Sequence, residues 1–208
     1  MHISEGVLSA PVLAAGAALT VAGTAMGLRR LDPRDMPRAG VMAAGLFVVS
    51  MIRVPILFTP VYGHLLLNGL AGLVLGWAVF PAFLVALFLR AILLGGLTTL
   101  GVNTLTMALP GIVVCFLFGW LLRRGQAVRA ASAFAAGALA VLLAGLLDAV
   151  VLYLSGPEFA GAGAVIVAVH LPIMIVEGLV CMMCVAFLTK VRPSMLSQSG
   201  KPEASNGA

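Results

Sequence analysis

Long stretches of this chain carry no charge at all, and this limits what it can fold into more than any other feature. No Asp, Glu, Lys or Arg occurs from Val7 to Leu28, from Val54 to Leu89, or from Ala91 to Leu122. A helix needs about 20 apolar residues to cross the ~30 Å hydrocarbon core of a bilayer, and these runs supply them. Only 9% of the 208 residues are charged, against about 25% in a soluble domain. The apolar residues are continuous instead of alternating, so the pattern predicts spanning helices and not barrel strands. The expected architecture is all-α: one polytopic membrane domain over residues 1–192, followed by a flexible polar tail over 193–208.

The breaks between the runs predict seven transmembrane helices. They cover Val7–Leu28, Ala39–Ile52, His64–Val79, a segment from a turn at Pro81 to Leu93, Thr104–Leu122, Ala130–Leu154 and Ala164–Thr189. The stretch Gly95–Asn103 is rich in Gly and Thr and reads as a broken segment. Of the twelve Lys and Arg, Arg29, Arg30, Arg34, Arg38, Arg123, Arg124, Arg129, Lys190, Arg192 and Lys201 fall in loops on one face. The positive-inside rule makes that face cytoplasmic, with the amino terminus outside and the carboxyl terminus inside. Glu5 precedes the first apolar run and Arg29-Arg30 follow it, the reverse of a secretory signal, so the first segment is expected to be retained. The basic residues sit in short interhelical loops, which gives no nucleic-acid signal. Cys115, Cys181 and Cys184 lie inside apolar runs, so no disulfide framework is implied.

Few residues can do chemistry, and the first two stand out. A free α-amine followed by His is a ready-made chelator. The Met1 amine, the His2 amide nitrogen and the His2 imidazole can close two small rings around one ion, leaving a fourth corner open. Square-planar nitrogen coordination of this kind suits Ni(II) or Cu(II). On the two residues alone, chance explains the pair equally well. His64 falls on the same side of the membrane and can fill the open corner, though it reads as readily as a polar residue starting a helix at the interface. Thr98 or Asn103 can bond the second nitrogen of an imidazole, as partners of metal-bound His commonly do. The Ile56–Gly63 loop and the Gly95–Asn103 segment, with Gly95 and Gly96, can close over such a site.

A second group comprises Arg90, Asp148, His170 and Glu177. His170 and Glu177 are seven residues apart and share a helix face. Ionisable groups at this depth usually face the protein interior. A buried structural network is favoured over direct metal ligation for these four. Cys181 and Cys184, with Met182 and Met183, are best read as apolar packing, with a soft-metal exit site as the lesser alternative. The sequence holds no phosphate-binding glycine–lysine motif and no His-Glu-x-x-His helix. It therefore reads as a binder that needs a separate motor, and not as an enzyme.

Taken together, the residues resemble a known family. The matching pieces are Met1-His2-Ile3-Ser4-Glu5-Gly6-Val7-Leu8, Gly63-His64-Leu65-Leu66-Leu67-Asn68-Gly69-Leu70, Gly95-Gly96-Leu97-Thr98-Thr99-Leu100-Gly101-Val102-Asn103, His170-Leu171-Pro172 and Glu177-Gly178. The chain resembles the CbiM/NikM family, the substrate-binding membrane components of energy-coupling-factor transporters for cobalt and nickel. The resemblance implies that one Co(II) or Ni(II), as transported substrate, is held by the Met1 amine, the backbone nitrogen and imidazole of His2, and the His64 imidazole. It implies no organic cofactor. It implies work in the inner membrane of a prokaryote, with a transmembrane coupling protein, two ATPase subunits and a small accessory membrane subunit. Arg53, the apolar stretch Ile56–Pro60, Leu93-Leu94 and Thr106 depart from the family pattern. The rival reading is a secondary carrier or channel for a divalent cation that uses His170, Glu177 and Asp148 as its path.

Overall fold

The computed structural model describes residues 3, 5–52, 54–55 and 62–196. Among these, seven α-helices form: α1 (Ala10–Arg30), α2 (Met36–Met51), α3 (Asn68–Leu75), α4 (Val79–Leu94), α5 (Leu100–Phe118), α6 (Gln126–Ser155) and α7 (Ala160–Val191). The sole sheet among the described residues is a two-residue antiparallel ladder, Val54–Pro55 with Tyr62–Gly63. The all-α class is as expected, because a backbone in lipid must satisfy its own N–H and C=O groups.

Five stretches are helical, long and apolar enough to cross a membrane: Ala10–Arg30, Asn68–Leu94, Leu100–Arg123, Gln126–Ser155 and Ala160–Val191. At 16 residues α2 is short for a span, and α3 has only 8. Helix length therefore fixes five candidate spans, fewer than the seven expected, and does not orient the termini.

Three local expectations need correction. The helix expected from His64 begins four residues later, at Asn68, because Leu67 adopts φ 51°, a left-handed conformation unfavourable within a helix. The turn expected at Pro81 lies instead at Gly76, whose φ 55° and ψ −127° suit a residue without Cβ. Pro81 sits in the first turn of α4, where a missing N–H breaks no intrahelical bond. Asn103 belongs to the first turn of α5 and not to a loop, while Gly95 and Gly96 form the turn before it at φ 83° and 106°.

The core lies where α3, α4, α5, α6 and α7 meet, with α2 packed against α4. Small residues set the spacing. A Cβ on Gly72 would collide with the Gly111 carbonyl, and one on Gly69 would lie 2.7 Å from the Gly137 Cα. Such close backbone approach is how helices associate in lipid, where apolar burial adds little drive. Asn68 is fully buried and donates from Nδ2 to the Ala140 carbonyl at 3.1 Å, tying α3 to α6. The three cysteines are free, and Cys181 is buried against Gly137 in this apolar contact.

Candidate metal centre

Met1, His2, Ser4, Arg53 and residues 56–61 lie outside the described residues, so two of the expected ligands do too. Ile3 is described, and it is held tightly. Its N–H donates to Asn103 Oδ1 at 3.0 Å, and its carbonyl accepts from Thr99 Oγ1 at 3.1 Å and Asn103 Nδ2 at 3.3 Å. Asn103 Nδ2 also donates to Thr99 Oγ1 at 3.1 Å, which fixes the amide orientation. A primary amide offers a donor and an acceptor side by side, so it can pair with both backbone groups of one residue. Ile3, Thr99 and Asn103 are all buried, where such bonds are costly to leave unmade. Two residues further along, Glu5 Oε1 accepts from the Thr98 N–H and hydroxyl, both at 3.2 Å, in an exposed contact.

His64 comes from a second irregular segment. Glu177, buried in α7, accepts from the Leu66 and Leu67 N–H groups; both of its oxygens lie 3.0 Å from the Leu67 nitrogen. Successive N–H groups converging on one anion form a nest, and the left-handed Leu67 sits within it. His64 is buried beside this anchor, with Nδ1 3.0 Å from the Leu65 carbonyl. A carbonyl only accepts, so Nδ1 carries the proton and Nε2 is the lone-pair nitrogen of the neutral ring. Burial pushes the His64 imidazole down from 6.5 to about 3. Neutral imidazole is the form that ligates a metal ion.

Arg90 lines a cavity of about 370 Å³ together with Ile3, Glu5, Gly95, Gly96 and Asn103, which joins the amino-terminal residues to the Gly95–Asn103 segment. The structure thus gathers the Ile3–Glu5 segment, the Gly95–Asn103 segment and Arg90 around one opening. Among the described residues, no three His, Cys, Asp or Glu side chains come together as a metal cage.

Thr98 and Asn103 bond Glu5 and Ile3, and among their recorded hydrogen bonds none goes to an imidazole. Three of the four groups expected as a buried network, Glu177, His170 and Asp148, each have a contact of their own. Glu177 serves the Leu66–Leu67 backbone. His170, fully buried, bonds the Ile166 carbonyl of its own helix through Nδ1 at 2.8 Å. Asp148, also buried, faces the Thr106 hydroxyl. His170 Nε2 and Asp148 Oδ1 have no hydrogen-bond partner among the described residues. Thr99 was not singled out in the sequence, although it sits inside the Gly95–Asn103 motif. The link from Glu177 to Leu66 spans 111 residues and leaves no local signal.

Five apolar helices long enough to cross a bilayer, packed around buried polar anchors, define a class: a multi-pass membrane protein. Comparison with known proteins agrees. The family model for the cobalt uptake substrate-specific transmembrane region, CbiM, matches residues 2–195, and the chain belongs to that family. A Haemophilus influenzae protein provisionally named a metal transport protein is 41% identical over 96% of this chain and 98% of its own length. The cobalt transport protein CbiM of Sorangium cellulosum is 32% identical over 95% of each chain. The fused nickel transport protein NikMN of Rhodobacter capsulatus is 38% identical over 62% of this chain and 39% of its own. The solved structure of a truncated transition metal transporter superposes with a TM-score of 0.76 at 25% identity, covering 92% of this chain and 99% of that one.

Proposed function

We propose that this protein is the substrate-specific component of an ATPase-driven cobalt or nickel uptake system. It captures one Co(II) or Ni(II) outside a prokaryotic inner membrane and delivers it to the cytoplasm with a transmembrane coupling protein, two ATPase subunits and an accessory membrane subunit. It hydrolyses nothing itself and carries no organic cofactor. The chain crosses the membrane seven times, with the short α2 added and the Asn68–Leu94 stretch divided at Gly76 into α3 and α4, its amino terminus outside and its carboxyl terminus inside.

The ligands in this reading are the Met1 amine, the His2 amide nitrogen and imidazole, and His64 Nε2. The observation that carries it is the clamp on Ile3. Three buried hydrogen bonds hold the residue next to the proposed chelate, beside a cavity lined by Arg90. Gly95, Gly96, Thr98 and Asn103 then close and position the amino-terminal arm. Deprotonating the His2 amide places one negative charge against the divalent ion, and capture releases protons. Planar nitrogen coordination favours Ni(II) among the two ions.

The rival carrier path through His170, Glu177 and Asp148 has less support. Glu177 is occupied by two backbone amides, and His170 by its own helix. One added residue ahead of Met1 separates the two readings. The chelate reading expects that extension, and separately His64→Ala, each to abolish Ni(II) binding. Binding that survives both changes together contradicts it.

A further inference from the structure

The far end of α1 from the Ile3 clamp has a polar pocket of its own. A cavity of about 150 Å³ opens where α1 ends and α2 begins, lined by Arg30, Asp35, Arg38, Val74, Gly76 and Trp77 among others. The Arg30 guanidinium lies over the Trp77 ring, 5.0 Å from its centroid. A stacked guanidinium keeps its in-plane N–H donors for another acceptor. Arg38 donates through Nη1 to Asp35 Oδ1 at 3.3 Å and through Nη2 to the Val74 carbonyl, near the end of α3. Its Nε and the Trp77 Nε1 are buried and have no acceptor among the described residues.

Buried N–H groups are rarely left without an acceptor, and here two of them belong to residues that line one pocket. Two guanidinium groups and one carboxylate leave a net single positive charge, which one monoanion balances. At about 150 Å³ the cavity admits a compact phosphodiester and is too small for an acyl chain. The pocket lies at the end of an apolar span, at headgroup depth, where Trp and Arg are favoured. Beside it, Leu28 of α1 is exposed for hydrocarbon to lie against.

We propose that this pocket binds the phosphodiester of an anionic phospholipid. Arg30, Arg38 and Trp77 donate to its oxygens, and its acyl chains run along the outside of α1. A zwitterionic lipid carries the same phosphate with an ammonium that the net positive pocket repels. The site is therefore selective for anionic headgroups, and it is independent of which ion the protein transports.

Trp77 makes a direct test possible. The chain has two tryptophans, and Trp120→Phe leaves Trp77 as sole reporter. The full-length variant is placed in phosphatidylcholine nanodiscs containing a fixed minor fraction of dibrominated phosphatidylglycerol, or the same fraction of dibrominated phosphatidylcholine. Brominated lipid seated in the pocket quenches Trp77. The expected result is a roughly five-fold preference for phosphatidylglycerol, the scale set by one guanidinium near an anionic lipid. Arg30→Gln removes the preference, and Arg34→Gln, outside the pocket lining, keeps it. Equal quenching by both lipids, or equal loss in both arginine variants, overturns the proposal in favour of diffuse surface charge. Inorganic phosphate in the buffer leaves the quenching unchanged; relief by inorganic phosphate overturns the lipid assignment in favour of a soluble anion.

Discussion

The seam between α3 and its neighbours and the two clamped segments near the cavity are both buried, yet they are held by different physics. At the seam, Gly69, Gly72, Gly111 and Gly137 bring backbones into contact, and almost no side-chain polar group takes part except Asn68. At the clamps, irregular backbone is fastened by directed bonds from Asn103, Thr99 and Glu177. Close packing fixes where helices lie. Directed bonds fix where individual nitrogen atoms lie, which a coordination site requires. The seam should therefore control whether the protein folds, and the clamps should control what it binds.

Four substitutions can break or sharpen that contrast. Gly72→Ala forces a Cβ into the Gly111 carbonyl, backbone on backbone, and is expected to cost about 3 kcal/mol or more, seen as lost yield and a lowered midpoint of thermal unfolding. An unchanged midpoint breaks the account of the seam. Glu177→Ala strips the acceptor from the Leu66 and Leu67 amides, and each buried amide left unpaired costs ~1–3 kcal/mol. Its distinguishing effect is on the site: a ~10–100-fold loss of Ni(II) affinity, of the size seen when a ligand's supporting partner is removed, with partial recovery in Glu177→Gln. A variant that loses stability while keeping full affinity places Glu177 with the seam. Asn103→Ala releases both backbone groups of Ile3 and is expected to cost ~10-fold in affinity with little change in unfolding. Glu5→Gln weakens an exposed contact to Thr98, and titration calorimetry should find at most a ~2-fold change.

The sequence made the helices legible because lipid leaves a spanning backbone few options, and the uncharged runs mark where that demand applies. It placed the Gly95-Gly96 turn for a similar reason, since both glycines occupy left-handed φ values that other residues avoid. It misplaced the turn after α3, where Pro81 is the louder local signal and Gly76 supplies the conformation. Asn103 stands out in the sequence, but its partners among the described residues are the Ile3 backbone and Thr99, and nothing local signals that pairing. Glu177 was read as part of a polar network on a helix face. Its actual partners are amides more than a hundred residues earlier, a contact that exists only once α3 and α7 are assembled. Residues whose role is set by their own helix were readable; residues whose role is set across the bundle were not.

In the proposed reading, the amino-terminal arm and His64 form one planar nitrogen site. Its most direct test is the visible spectrum of the purified protein as Ni(II) is added. The account predicts a yellow, diamagnetic, square-planar species that saturates at one equivalent and is absent from a chain extended by one residue before Met1. An octahedral nickel spectrum, or the same yellow species in the extended chain, would contradict it.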